Sequence, residues 1–259
     1  MTSETLAETG VRLDVADQVA TVILDRPQSR NSQTPTMWRA LAAFGAELPD
    51  DVRVVVVRGE GPSFSAGLDR AMLDPSTTGE ESVAGLLALD DAAVSATIDE
   101  YQQGFTWLRD PRFVSIAAVQ GHAIGAGFQL ALSCDLRVLA DDAQLCMKES
   151  ALGLVPDLTG TKPLVECVGY ARALEICATA RMIGAAEAVE IGLALTAVPA
   201  AELDGTVADL VAALTAAPVG AVRETKALLL GAGSTELDEQ RRLEREAQVR
   251  RFRELTAGM

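Results

Sequence analysis

The chain has 259 residues, 49% hydrophobic and 23% charged, enough to bury one large core without disulfide staples and too apolar for a disordered segment. A net charge of −15 with 4% aromatic residues excludes a nucleic-acid surface, which needs a basic footprint and, for single strands, stacking platforms. No apolar run reaches the ~18 residues of a membrane span, and MTSETLAETG has neither the basic nor the apolar region of a signal peptide, so a soluble, cytoplasmic protein is expected.

In chain order, Val11 to Leu24 alternates apolar and polar residues around Ala16-Asp17-Gln18, the pattern of a β-hairpin, and ends at Asp25-Arg26-Pro27. Thr34 to Leu48 carries Met37, Leu41, Phe44 and Leu48 at helical spacing, with Pro35 near its start. Val52 to Val57 is a β-branched run and predicts a buried strand, followed by the small-residue turn Arg58 to Asp69. Ala71 to Leu89, with Pro75, Ser76, Thr77, Thr78 and Gly79, is expected to be a loop or lid. Ala92 to Arg109 predicts a helix.

FVSIAAVQGHAIGAGFQLALSCD, residues 113 to 135, is the most informative stretch: a strand to Val119, a tight turn with Gly121, Gly125 and Gly127, then a helix opening at Phe128. Glycines let backbone approach a ligand, and a helix start presents unpaired N–H groups, so the turn is a phosphate cradle, an oxyanion hole or a close-packing turn. The dinucleotide pattern fails because Leu130 stands where its third glycine is required, and no Gly-Lys-Ser/Thr follows to make a P-loop.

Leu136 to Leu139 predicts another short strand, followed by Ala143 to Met147, Glu149 and a loop from Gly153 to Thr161. From Leu164 onward the pattern is predominantly helical, with breaks at Gly169, Gly184, Gly192, Pro199 and Gly231 to Gly233. The mixed charges of QRRLEREAQVRRFRE suit a solvated or subunit-facing helix. Cys134, Cys146, Cys167 and Cys177 lie in apolar segments without metal-ligand spacing, so no metal site is expected. The sole histidine, His122, and the absence of G-x-S-x-G leave little room for a nucleophilic triad.

Several motifs in order carry a family resemblance: LDRP at 24 to 27, VRVVVVRGEGPSFSAGLD at 52 to 69, AAVQGHAIGAGFQLALSCDLRV at 117 to 138, LGLVPDLTGT at 152 to 161, VGYARALEI at 168 to 176 and PVGAVRETKALL at 218 to 229. From Val11 to its C-terminus the chain resembles the crotonase (enoyl-CoA hydratase/isomerase) superfamily. The resemblance implies an α/β fold, a ββα spiral core over residues 1 to 195 bearing an acyl-CoA site, and a helical C-terminal oligomerisation region over 196 to 259. It also implies a homotrimer or homohexamer, and no cofactor beyond the CoA of the substrate.

Carried over residue by residue, the resemblance makes the N–H groups of Leu68 and Ala126 an oxyanion hole for a thioester enolate. Ala126 stands where glycine is commoner, which a backbone donor tolerates. Of the two hydratase glutamates, the second matches Glu149 and the first is replaced by Gln129, whose amide can hold water and cannot exchange a proton. Glu149 followed by Asp157 resembles the dienoyl-CoA isomerases, where two carboxylates shuttle a proton, so isomerisation is favoured over hydration. Asp157 also matches the nucleophilic aspartate of chlorobenzoyl-CoA dehalogenases, which surround it with aromatic residues that this chain lacks. The plainer alternatives are a structural Glu149, a turn-forming Asp157 and a Gln129 that is only a polar helix start, which together would leave a non-catalytic acyl-CoA binder.

CoA would lie along Ser65, Ala66 and Gly67, with Arg26 near its phosphates and Lys226 approaching them, in its own subunit or a neighbouring one. The family's Gly-Thr-Gln-Arg reads Gly160-Thr161-Lys162-Pro163, so the start of the next helix departs from the pattern.

Overall fold

A computed structural model describes residues 9–74, 77 and 82–257. Its strands are β1 (Val11–Ala16), β2 (Val19–Leu24), β3 (Val54–Gly59), β4 (Val114–Val119), β5 (His122–Ile124), β6 (Leu136–Ala140), β7 (Gln144–Cys146), β8 (Ile183–Gly184) and β9 (Thr196–Val198). The longer helices are α1 (Pro35–Glu47), α2 (Asp91–Thr106), α3 (Ala126–Ser133), α4 (Thr161–Thr179), α5 (Ala185–Glu190), α6 (Leu203–Ala216), α7 (Val219–Ala232) and α8 (Leu237–Ala257).

Six strands make the main sheet in the order β1-β2-β3-β4-β6-β9. The expected hairpin is present, with β1 antiparallel to β2, and every later pair in this sheet is parallel. Parallel strands need crossovers, and the chain supplies them as helices and loops between consecutive strands. The run at Val52 is displaced by two residues: Arg53 N–H and Val54 N–H both reach Gln18 O, and ladder pairing begins at Val54.

The unbroken apolar runs follow from burial on both faces of this sheet. Val55 and Val57 of β3 with Ala117 and Val119 of β4 face a large core shared with α1, α2 and α3. Their sequence neighbours Val54, Val56, Ile116 and Ala118 face a smaller core covered by Leu203 and Val207 of α6. Helix α1 is capped by Thr34, whose Oγ1 accepts from Met37 N–H, and Trp38 packs against Tyr101 and Phe105 of α2.

Two expectations change here. The glycine turn after β4 is not one tight turn: Gly121 and Gly125 bracket β5, which pairs with β7 in a second, three-stranded sheet β5-β7-β8. The C-terminal part is helical except for β8 and β9, and β9, at the start of the region assigned to 196–259, is the edge strand of the main sheet beside β6. These strands are two and three residues long, too short for a period to register in the sequence.

Gly169 holds φ 75 inside α4 and bends it at an expected break. The loop or lid expected over Ala71 to Leu89 falls partly outside the described residues. Its described parts are a 3-10 turn, Arg70–Leu73, and a one-turn helix, Val83–Leu86.

Candidate active site

Two turns approach each other beyond the ends of β3 and β4. In the first, Ser65 pairs with the β5 segment: Ser65 N–H donates to His122 O at 2.8 Å, and Ile124 N–H donates to Ser65 O at 3.0 Å. Two residues on, the chain faces the other way. Gln33 N–H donates to Gly67 O at 2.7 Å and Asp69 N–H donates to Gln33 O at 2.8 Å.

In a trans peptide the N–H points opposite to the C=O. With Gly67 O committed to Gln33, Leu68 N–H points away from Gln33, and it has no acceptor among the described residues. Gly67 makes this possible at φ +85, where a side chain is strained. A β-carbon on it would lie 2.3 Å from Ile124 O and 3.5 Å from Ala126 N, so the turns are in direct contact.

The second turn repeats the device. Gly125 (φ 51) donates its N–H to Cys146 O at 2.8 Å, and its C=O accepts from Gln129 N–H at 2.9 Å. Ala126 N–H, at the first residue of α3, therefore points out of the helix start and has no acceptor among the described residues. Two donors from separate turns thus stand unused in one small region, and the partial positive end of a buried helix lies behind one of them.

Glu149, 8% exposed, begins a 3-10 turn after β7. Its Oε1 accepts from Gln129 Nε2 at 2.7 Å, while Oε2 is buried with no partner among the described residues. A β-carbon on Gly125 would lie 3.3 Å from Oε1, which sets the carboxyl against the peptide that carries Ala126 N–H. Burial pushes the Glu149 pKa up and the charge of Asp157 adds to the rise, while bonds from its own backbone and from Gln129 oppose it.

Gln129 is 1% exposed, and its Oε1 accepts from Leu158 N–H at 2.9 Å and Gly160 N–H at 3.2 Å. Two backbone donors on one atom identify it as the oxygen, so the nitrogen must face Glu149. The sequence pictured this amide holding water. Instead its oxygen is saturated and one of its two N–H groups is taken, because the 158–160 loop folds back over α3.

Asp157 adjoins that loop, with its backbone oxygen held by Gln102 Nε2 at 2.7 Å. Crowding by protein atoms raises its pKa through desolvation, yet the residue is open to solvent, and water access limits the rise. It is near enough for its charge to act on Glu149.

The expected phosphate contacts fare differently. Arg26 lies beside the 65–69 turn but its guanidinium is engaged, with Nη1 donating to Ser32 O at 2.6 Å and Nη2 to Asp69 Oδ2 at 2.9 Å. Burial works against ionisation of Asp69, yet the Ala71 N–H and Arg26 hold its carboxyl below its usual range.

Lys226 is a correction. Its Nζ, 8% exposed as a residue, donates to Asp110 O, Phe113 O and Asp135 Oδ2, each at 2.7 Å. All three protons are spent pinning α7 to the start of β4, so none remains for a phosphate. Of the residues expected along CoA, Ser65 and Gly67 are buried and Ala66 is half-buried, and Ala66 N–H donates to Arg30 O at 2.8 Å. Arg30 itself is exposed and without an acid partner among the described residues, a cation the motif reading passed over although it lies four residues after Arg26. No group of three or more His, Cys, Asp or Glu side chains among the described residues is placed to hold a metal ion.

The profile of the family "Enoyl-CoA hydratase/isomerase" matches residues 14–259. A solved structure from Thermobifida fusca YX, classed with the enoyl-CoA hydratases and in complex with acetoacetyl-CoA, is 56% identical, with a TM-score of 0.94 and 98% of each chain covered. The peroxisomal Delta(3,5)-Delta(2,4)-dienoyl-CoA isomerase of Arabidopsis thaliana is 30% identical over 225 residues, covering 85% of this chain and 80% of the relative. The (E)-benzylidenesuccinyl-CoA hydratase of Thauera aromatica is 30% identical over 227 residues, covering 85% and 82%. The chain belongs to the enoyl-CoA hydratase/isomerase family and has its crotonase-type α/β fold. It is an enzyme of that family, whose relatives divide between hydration and isomerisation.

Proposed function

We propose that this enzyme binds an acyl-CoA, holds its thioester carbonyl between the N–H groups of Leu68 and Ala126, and moves a proton along the acyl chain with Glu149. The observation that carries the reading is the orphaned Oε2 of Glu149, buried beside the peptide that supplies one of two unused backbone donors. Oε2 takes a proton from an acyl carbon, the electron pair moves onto the thioester oxygen as an enolate, and reprotonation at another carbon completes an isomerisation. Asp157 is the second proton carrier. Donors aimed at a developing oxyanion are worth ~10²–10³ in rate each, and a positioned acid/base ~10²–10⁴.

Isomerisation is favoured over hydration because the residue facing Glu149 is an amide, which neither activates water as a base nor returns a proton. Hydration by Glu149 alone is the second reading, supported by the Thauera aromatica hydratase among the relatives. For CoA binding, solved structures from Thermobifida fusca YX with CoA and with acetoacetyl-CoA give the precedent. Beside the turn at Ala66 and Leu68, the free cation next to CoA would be Arg30, with Arg26 behind it. A homotrimer or homohexamer is proposed as well, from exposed apolar residues such as Val155, Tyr170, Leu174 and Phe252.

The test is incubation with α,β- and β,γ-unsaturated acyl-CoAs in deuterated water, read by mass spectrometry. Deuterium incorporation with double-bond migration and no mass gain of water is expected. Water addition as the dominant product would replace isomerisation by hydration, and saturable binding with neither would reduce the protein to a binder.

A further inference from the structure

Behind the first turn lies a buried side-chain cluster that the reaction, as drawn above, does not use. Ser65 is fully buried, and its Oγ donates to Asn31 O at 2.8 Å while accepting from Gln33 Nε2 at 3.1 Å and Gly67 N–H at 3.2 Å. Gln33, also fully buried, accepts at Oε1 from Trp38 Nε1 at 2.8 Å. Asn31, held at φ 54, donates through Nδ2 to Glu60 O and Ser63 O and accepts from Arg26 N–H at Oδ1. Every polar atom of the three side chains has a partner.

The cluster acts on one peptide. Gln33 holds Gly67 O through its backbone and Ser65 Oγ through its side chain, and Ser65 Oγ holds the N–H on the other side of Gly67. Gly67 is the residue with the widest freedom in the turn, and both of its flanking peptides are thereby clamped. Rotation of the 67–68 peptide would turn Leu68 N–H off its direction and would break a bond to Gln33. A fully satisfied buried polar network specifies one geometry.

We infer that Ser65, through its side chain and together with Gln33, is a positioning residue that aims the Leu68 N–H at the substrate oxygen. The inference rests on the proposed oxyanion role of Leu68 and Ala126. Ser65 touches no substrate atom through Oγ, which is enclosed by Asn31, Gln33 and Gly67. Its effect is to remove the reorientation that an unclamped glycine peptide would need when charge develops on the oxygen.

The test titrates the enolisation of bound acetoacetyl-CoA by ultraviolet absorbance. Donors aimed at an enolate oxygen stabilise the enolate, so the wild type is expected to enolise this ligand at lower pH than free solution does. Ser65→Ala is expected to shift the enolisation equilibrium of the bound ligand back by about tenfold, with Ser65→Cys partly restoring it. Gln33→Leu keeps the backbone bonds to Gly67 and Asp69 and should give a smaller shift in the same direction, which covers the case in which Ser65→Ala does not fold. If the wild type leaves acetoacetyl-CoA enolisation unmoved, the oxyanion reading itself falls. If the wild type shifts it and folded Ser65→Ala and Gln33→Leu shift it equally, the oxyanion reading stands and the positioning role is overturned.

Discussion

Gln129 Nε2 donates to Glu149 Oε1 at 2.7 Å, while Glu149 Oε2 is buried without a partner among the described residues. The same residue holds the helix start through its backbone, since Gln129 N–H bonds Gly125 O and so orients the peptide of Ala126. One glutamine therefore ties the carboxyl proposed as acid/base to a backbone donor.

Glu149→Gln should lower turnover by ~10²-fold or more while leaving affinity for an acyl-CoA within about twofold, because the amide keeps the volume and loses the proton. Steady-state kinetics beside calorimetric binding check this. Unchanged turnover would remove Glu149 from the chemistry.

The same variant tests the raised pKa. A carboxyl whose folded pKa lies above its unfolded value binds its proton more tightly when folded, so stability is lost as pH rises through the unfolded and then the folded value. Wild type should therefore melt below Glu149→Gln at pH 7 to 8, and the two should converge as the pH falls beneath the ordinary glutamate range. A constant gap across that range would count against a raised pKa.

Gln129→Glu replaces a neutral donor by a second carboxyl facing Glu149. Like charges resist joint ionisation, so the acidic limb of the turnover profile should move up by about one pH unit, and any hydration of an α,β-unsaturated acyl-CoA should rise. An unmoved profile would show that the 129 side chain does not govern the proton on Glu149.

Lys226→Met should destabilise the fold by about 3 kcal/mol, because Asp135, only 16% exposed at its side chain, loses its cationic partner. CoA affinity of the folded variant should not change. A loss of affinity at the concentration of folded protein would restore Lys226 to the ligand site.

Gly67→Ala should cost more stability than a positive φ alone, which is ~1–3 kcal/mol, because the added carbon would sit 2.3 Å from Ile124 O. Denaturant unfolding reads this directly. Near-neutral stability would mean that the two turns can separate without penalty.

Much of the architecture was legible from residue order. The β-branched runs at β3 and β4 fixed strands buried on both faces, Thr34 and Pro35 marked the start of α1, and the glycines marked where the chain reverses. Motif order named the family and brought Leu68, Ala126 and Glu149 forward together. The short β8 and β9 escaped because two or three residues show no period, and β5 was hidden between the glycines that bracket it.

The sequence by itself thus determined the elements, their order and the kinds of group present at the site, since these depend on local sterics and on apolar periodicity. Only the tertiary structure decided what each group is bonded to and how deeply it is buried. Leu68 N–H is free because Gln33, thirty-five residues earlier, takes the carbonyl of its peptide. Burial pushes the Glu149 pKa up, and Lys226 is engaged by Asp135, ninety-one residues away. Hydrogen-bond saturation and desolvation are properties of what surrounds an atom in space, and linear spacing does not encode them.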